Sequence, residues 1–146
     1  MKSILIIRQP TEEELERMYD LRWRVLREPC RQPKGSERDE REDNSFPFVA
    51  ILDNKIIGTA RLQMNNEQEG QIRYLAIEET HRRQNVGSKL IRYIEWFALK
   101  KGSNHIKLNA RKTAEHFFKK LGFKILEEGP LLYGEISHHV MKKELN

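Results

Sequence analysis

Hydrophobic residues recur along the chain in two spacings, which together predict a mixture of strands and helices. Short apolar runs bounded by Pro, Asn or Gly are typical of strands, and apolar residues three and four apart are typical of helices. The predicted strands span residues 4–9, 46–53, 55–64, 71–77, 106–110, 123–126 and 139–145. The predicted helices begin at the capping box of Thr11 and Glu14 and end at Pro29, run from Val86 to Lys101, and run from Ala114 to Leu121.

This order of elements is β-α-β-β-β-α-β-α-β-β. It predicts an α/β fold with a mixed sheet rather than a doubly wound parallel sheet. The chain has 146 residues, about the length of one domain. We therefore expect a single domain over residues 1–146.

The segment between the first helix and the second strand is long for a connection in a compact domain. It runs from Cys30 to Asn44, and its stretch from Lys34 to Asp43 has three positive and five negative residues. Either this loop receives a cationic substrate, or it is a solvated run of charges that pair with one another. Its length also predicts that it is either functional or mobile.

Charge is distributed unevenly between the two parts of the chain. Residues 1–70 carry 12 Lys and Arg against 14 Asp and Glu, or −2, and residues 71–146 carry 15 against 8, or +7. A basic half indicates contact with a polyanion, either nucleic acid or a phosphorylated cofactor, or else a solvated basic face. The early apolar run of Ile4 to Ile7 ends at Arg8 and is too short to span a membrane, so a cytoplasmic protein without a membrane partner is expected.

The segment from Tyr74 to Leu90 carries the most chemical information, because a strand leads into a basic, glycine-containing turn that opens an amphipathic helix. Free N–H groups and the helix dipole favour an anion at a helix N-terminus, and Gly87 lets the backbone approach it closely. Arg82, Arg83 and Lys89 add positive charge. The turn matches neither the Walker loop nor the G-x-G-x-x-G fingerprint. We interpret it as a phosphate or pyrophosphate site, with a basic turn on a solvated surface as the alternative.

The same turn resembles a motif of the GNAT superfamily of acyl-CoA-dependent acyltransferases. The pattern [Arg/Gln]-x-x-Gly-x-[Gly/Ala] matches Arg82 to Gly87 except at Asn85, and Asn tolerates the left-handed backbone that Gly adopts. Downstream, residues 109–111 and 114–123 resemble the family's next strand and its N-x-x-A-x-x-F-Y-x-K-x-G-F helix. Residues 134–141 and the acidic loop resemble the ElaA-like branch.

The resemblance implies a mostly antiparallel sheet that is flanked by helices and split between strands 71–77 and 106–110, with the pantetheine arm of the cofactor between them. It implies acetyl-CoA as co-substrate, no metal, and direct attack by a primary amine of a small molecule or peptide, with a homodimer as one possible assembly. The residues that would bind the cofactor are Leu75, Ala76, Ile77, Arg82, Arg83, Gln84, Asn85, Val86, Gly87, Ser88 and Asn109.

The reaction needs two proton transfers, one from the attacking amine and one to the departing thiolate. Glu40, Glu42 and His138 are the candidates for the general base, alone or through water. The tyrosine that usually protonates the departing thiolate is replaced by Phe118, so Tyr133 or water would substitute, or the thiolate would leave without an acid. His138 and the adjacent residue alternate between faces of a strand, which argues against a metal pair.

Two other functions compete with this interpretation. Phe118 is compatible with a catalytically weak protein of the same fold that binds acyl-CoA as a sensor or an interaction module. The basic half is compatible with a small nucleic-acid-binding protein, but the sequence lacks an aromatic stripe, a recognition-helix pattern and zinc-ligand spacing, so nucleic acid is not the expected partner.

Overall fold

A mixed seven-stranded sheet forms the centre of the computed structural model, which describes residues 3–146. The strand order is β1-β2-β3-β4-β5-β7-β6, and every neighbouring pair is antiparallel except β4 and β5. The strands are β1 (Ile6–Arg8), β2 (Phe46–Leu52), β3 (Lys55–Met64), β4 (Glu69–Ile77), β5 (His105–Arg111), β6 (Lys124–Leu132) and β7 (Ile136–Glu144). The predicted α/β class with a mostly antiparallel sheet is confirmed.

Helices cover both faces of this sheet. The α-helices are α1 (Leu15–Arg22), α2 (Val86–Lys100) and α3 (Glu115–Lys120). A π-helical turn (Trp23–Arg27) continues α1, and 3₁₀ turns occupy Glu12–Glu14, Glu28–Cys30, Glu42–Asn44, Glu79–His81 and Lys112–Ala114. Within residues 3–146, no helix is long and apolar enough to cross a membrane.

Both faces of the sheet are buried at its central strands, because strand residues alternate between two layers. Phe48 and Ala50 of β2 pack on the α2 side, whereas Val49 and Ile51 pack with Met18 on the α1 side. The period of two along a strand explains this division. The two layers hold β2, β3 and β4 rigidly between α1 and α2.

The bounds of every strand except β3 differ from the sequence prediction, most of all in β6 and β7. β4 begins at Glu69, β6 continues to Leu132, and β7 begins at Ile136. The pairing of β6 with β7 is interrupted by two register shifts, and β6 contains Pro130. An edge strand tolerates both, because a bulge or a proline there leaves few ladder hydrogen bonds unmade.

A β-bulge in the middle of β4 separates this strand from β5. Thr59 pairs with Ala76 and Arg61 with Arg73, so β4 has one more residue than β3 in this interval. Tyr74, within the bulge, has φ of 58°, a left-handed conformation that is rare for a bulky residue. Parallel pairing of β4 with β5 ends at Ile72 and Leu108, just before the bulge. Past that point the two strands diverge.

Buried ion pairs hold the long loop of residues 30–44 against the sheet. The side chains of Arg22 and Arg61 are fully buried. Arg22 Nη1 lies 3.0 Å from Glu42 Oε1, and Arg61 Nη1 lies 2.6 Å from Glu42 Oε2 and 2.7 Å from Asp39 Oδ1. The expectation that this loop offers its carboxylates to a cationic acceptor is therefore wrong for Asp39 and Glu42. These two carboxylates form ion pairs with Arg22 of α1 and Arg61 of β3.

We expect Asp39→Asn to lower the free energy of unfolding by about 3 kcal/mol at pH 7, because it removes one of the two carboxylates that pair with buried Arg61. Burial alone would raise the pKa of Asp39, but the hydrogen bond from Arg61 and the nearby charges lower it from 3.8 to about 2. Because the pKa is lower in the folded than in the unfolded state, the ionised carboxylate stabilises the fold above the unfolded-state pKa. This stabilisation is lost as the pH falls through the folded-state pKa. The difference between the variant and the wild type should therefore shrink from pH 4 to pH 2 in denaturant titrations.

Asp43→Asn is the matched control, since Asp43 is an exposed carboxylate of the same loop. It should change stability by less than about 0.5 kcal/mol. Equal stability of Asp39→Asn and Asp43→Asn at pH 7 would contradict the role given to the buried pairs.

Candidate active site

The divergence of β4 and β5 opens a cavity of about 740 Å³. Residues 71–77 of β4 line one side, residues 108–111 of β5 line the other, and the π-helical turn after α1 contributes Val25, Leu26 and Arg27. The remaining described residues around it are His81, Arg82, Arg83, Asn85, Val86, Gly87, Ser88, Ala114, Phe117, Phe118, Lys120, Leu121, Pro130, Leu132 and His138. On the edge of β4 that faces this cavity, the backbone past Ile72 has no neighbouring strand to pair with.

Every charged residue that lines the cavity in the described part of the chain is basic. The cations are Arg27, Arg73, Arg82, Arg83, Arg111 and Lys120, and no Asp or Glu accompanies them. In contrast, the carboxylates of Asp39 and Glu42 lie behind the wall, paired with buried arginines. The cavity is thus suited to an anionic ligand.

The N-terminus of α2 meets the cavity at its basic turn. Asn85 has φ of 64° and ψ of 17°, which confirms the left-handed backbone expected for it. Its side chain makes no capping hydrogen bond, and the N–H of Lys89 is the first to bond back, to the Asn85 carbonyl at 3.0 Å. The N–H groups of the preceding three residues are therefore available for an anion, and the first turn of α2 contains no acidic residue.

A side chain at Gly87 would crowd Phe117. A Cβ atom at this position would lie 3.2 Å from Phe117 Cζ and 3.9 Å from Ile77 Cγ1. Phe117 and Phe118 stack edge to face with centroids 5.0 Å apart, and Phe118 is buried. The prediction that these phenylalanines belong to the core is confirmed, although both also line the cavity.

An ion pair joins the π-helical turn, which lines the cavity, to the residue that follows β4. Arg24, in the π-helical turn, donates to both carboxylate oxygens of Glu78 at 3.0 and 2.9 Å. The hydrogen bond from Arg24 lowers the pKa of Glu78. This bidentate pair fixes the segment that carries Val25 and Arg27 over the diverging strands.

His138 is the candidate base that the structure brings to the cavity. Its side chain is buried, and its Nδ1 lies 3.1 Å from the Pro130 carbonyl and 3.0 Å from the Ile136 carbonyl. Two acceptors at Nδ1 require the proton there, so Nε2 has the free lone pair. Nε2 makes no hydrogen bond within residues 3–146.

Four other predicted site residues are not part of the cavity wall. Glu40 is exposed, Gln84 is exposed, and Tyr133 lies in the turn after β6 with 39% of its surface exposed. Glu42 accepts hydrogen bonds from Arg22, Arg61 and the Asp39 N–H, so it is not free to act as a base. The remaining predicted cofactor residues, Leu75 to Ile77, Arg82, Arg83, Asn85 to Ser88 and Asn109, all line the cavity.

Comparison with known proteins assigns the fold to a family. Residues 14–123 match the model of the "Acetyltransferase (GNAT) family". The chain belongs to this family. It is an acyl-CoA-dependent acetyltransferase, as the resemblance implied.

Relatives agree with this assignment over the full length of the chain. The uncharacterized N-acetyltransferase YjcF of Bacillus subtilis is 29% identical over 144 residues, which covers 99% of this chain and 100% of YjcF. The structure of an aminoglycoside 6'-N-acetyltransferase in complex with coenzyme A aligns with a TM-score of 0.80 at 16% identity, over 95% of this chain and 96% of that one. Escherichia coli ElaA aligns with a TM-score of 0.78 at 14% identity, over 98% and 100%. At that identity the likeness shows the shared GNAT fold, and the ElaA-like branch stays a prediction.

Sequence reasoning missed the arginine side of the site. Arg27, Arg73 and Tyr74 line the cavity, and their sequence pattern predicts only a helix for the first and a strand for the other two. The signal that could have found Arg27 is the density of arginines in the first helical segment, which has Arg17, Arg22, Arg24 and Arg27. Arginines that become buried on folding need carboxylate or carbonyl partners, so a group of them indicates a shared network of ion pairs.

We expect Asn85→Val to destabilise the fold by about 1–2 kcal/mol, because a β-branched residue resists the left-handed backbone. Asn85→Gly should retain the stability of the wild type to within about 1 kcal/mol. Gln84→Val is the control, since Gln84 is equally exposed and does not have a positive φ. Thermal unfolding would measure all three, and equal loss for Asn85→Val and Gln84→Val would contradict the turn geometry.

Proposed function

We propose that the protein transfers an acetyl group from acetyl-CoA to a primary amine by direct attack, without a covalent enzyme intermediate. The observation that carries this proposal is the cavity between the diverging strands, which joins an unpaired edge of β4 to the basic N-terminus of α2. Direct attack is supported by the absence of cysteine from the described lining, because Cys30, the chain's one thiol, lies elsewhere.

The turn before α2 would hold the pyrophosphate of the co-substrate. Three helix N–H groups converge there, and Arg82, Arg83 and His81 surround them. Fixed N–H dipoles and cations without competing carboxylates favour a doubly charged ligand. The Asn85 side chain lines the same region and has donors to offer.

The unpaired edge of β4 would orient the thioester. Leu75, Ala76 and Ile77 border the space that β5 has left, and those of their backbone groups that point away from β3 can bond the pantetheine amides. One N–H aimed at the thioester oxygen would stabilise the negative charge that develops there during attack. A backbone donor is fixed before the reaction, so no reorganisation is needed.

His138 would accept the proton from the attacking amine. An ordinary amine is protonated at neutral pH and needs a base within hydrogen-bond reach. The Nδ1 proton is held by two carbonyl oxygens, so Nε2 is the acceptor atom. Phe118 has no proton to give, and the thiolate of CoA is a sufficiently weak base to leave on its own or through water.

We expect Gly87→Val to weaken CoA binding at least about tenfold, as expected when hydrogen bonds to a charged group are lost. Calorimetric titration with CoA would measure it. Because a side chain here also meets Phe117, the variant is compared with Phe117→Leu and with the double variant. A loss that persists in the double variant supports the pyrophosphate site. Full recovery of affinity there would mean that packing alone caused it.

S-acetylpantetheine is a useful second ligand, since it has the thioester but no pyrophosphate. Its turnover should be equal in the wild type and in the double variant. If the double variant lost turnover of S-acetylpantetheine as strongly as it loses CoA affinity, the assignment of Gly87 to the phosphate region would be contradicted.

We expect His138→Gln to lower kcat about 10²-fold or more and to leave the KM for acetyl-CoA unchanged, because general-base help is lost. A thiol-release assay with an amine panel would measure both constants. His139→Gln is the control, since His139 is the adjacent residue of β7 and is paired with Glu115 and Glu128. Equal kcat for wild type and His138→Gln would eliminate His138 as the base.

A further inference from the structure

Four guanidinium groups surround the ring of Tyr74 at the bulge. The Cζ atoms of Arg22, Arg61, Arg73 and Arg27 lie 4.7, 4.9, 5.0 and 5.4 Å from the ring centroid. Only two carboxylates, Asp39 and Glu42, make ion pairs with this group within residues 3–146. Four positive and two negative charges leave the cluster with an excess of two positive charges.

The excess charge is directed into the cavity. Arg22 and Arg61 are fully buried behind the ring, whereas Arg27 and Arg73 line the cavity. Arg27 Nε donates to the Ser36 carbonyl at 2.9 Å, and Arg73 Nη1 donates to Asp39 at 3.0 Å. These bonds fix both guanidinium groups. Their other N–H donors make no hydrogen bond in the described part of the chain, and they are not enclosed by protein.

This arginine pair is separate from the cations at α2. Arg73 precedes Ile77, the last residue of β4, by four positions, which corresponds to about 13 Å of extended strand. The basic turn follows Ile77. The cavity therefore has a cationic region at the turn and a second one at the bulge, where the π-helical turn after α1 covers the strands.

We infer that the amine acceptor carries an anionic group, a carboxylate or phosphonate, which Arg27 and Arg73 bind. The inference rests on the proposed function and adds the chemical class of the acceptor. Guanidinium groups match both oxyanions through paired N–H donors. A purely cationic acceptor would meet an excess of positive charge and, among the described lining residues, no carboxylate. This reverses the cationic acceptor expected from the acidic loop.

The test uses sets of acceptors that share one amine and differ in the second group. Alanine, 1-aminoethylphosphonate and alaninamide form one set, and larger side chains extend the panel. Thiol release gives kcat and KM for each. The carboxylate or phosphonate member should have a kcat/KM about 10- to 100-fold above that of the amide, the range for a hydrogen bond to a charged group.

Arg27→Gln should remove this preference by raising the KM of the anionic member about 10- to 100-fold, with the amide member and the KM for acetyl-CoA unchanged. Arg73→Gln is the second variant, in case Arg27→Gln does not fold. Arg17→Gln is the control, since Arg17 is an exposed arginine of α1 away from the cavity. Equal kcat/KM for anionic and amide members, or an equal loss for both in Arg27→Gln, would overturn the inference. So would a raised KM for acetyl-CoA, because it would assign the arginine to the co-substrate.

A calorimetric titration of the same sets into protein saturated with CoA separates this inference from the proposed function. If no acceptor releases thiol, acetyl transfer to this panel fails. The inference is then decided by binding alone: it is supported when the anionic member binds and the amide does not, and overturned when both bind equally or neither binds.

Discussion

The left-handed backbone of Tyr74 is the constraint on which the rest of the site depends. A bulky residue in this conformation costs about 1–3 kcal/mol and persists only where its surroundings favour it. Here the ring is held among four guanidinium groups, with its hydroxyl 3.3 Å from Asp39 Oδ2. The extra residue of the bulge turns β4 away from β5. Without it, the two parallel strands could stay paired and there would be no space between them.

The cluster around Tyr74 also organises the long loop. Arg22 comes from α1, Arg61 from β3 and Asp39 from the loop, so one set of ion pairs joins three parts of the chain. A buried pair of this kind contributes little net stability compared with an apolar core, but removing one partner is costly. Its consequence here is geometric, because it fixes where the arginines at the cavity point.

The sequence predicted the local features of the site better than its long-range ones. The turn before α2, its anion-binding character and the left-handed Asn85 follow from nearby residues, whose preferences act within one turn of chain. The bulge at Tyr74 and the pairing of Asp39 with Arg61 could not be predicted, because they depend on residues that meet only in the folded sheet. Net charge by halves could not identify every cation of the cavity for the same reason. Most arginines that line the cavity come from the basic half, but Arg27 comes from the acidic half, and the carboxylates Asp39 and Glu42 of that half pair with Arg22 and Arg61.

The pairing of the loop carboxylates also bears on the choice of base, because Glu42 pairs with Arg22 and Arg61 and Glu40 is exposed outside the cavity wall. A carboxylate placed among guanidinium groups pairs with them, as Asp39 does, and its pKa falls to about 2. Such a group accepts a proton poorly at neutral pH. His138 makes no ion pair within residues 3–146, and the carbonyls of Pro130 and Ile136 orient it through Nδ1. The base proposed here therefore lies outside the network of carboxylates and arginines, and the cations of the cavity wall stay available to an anionic ligand.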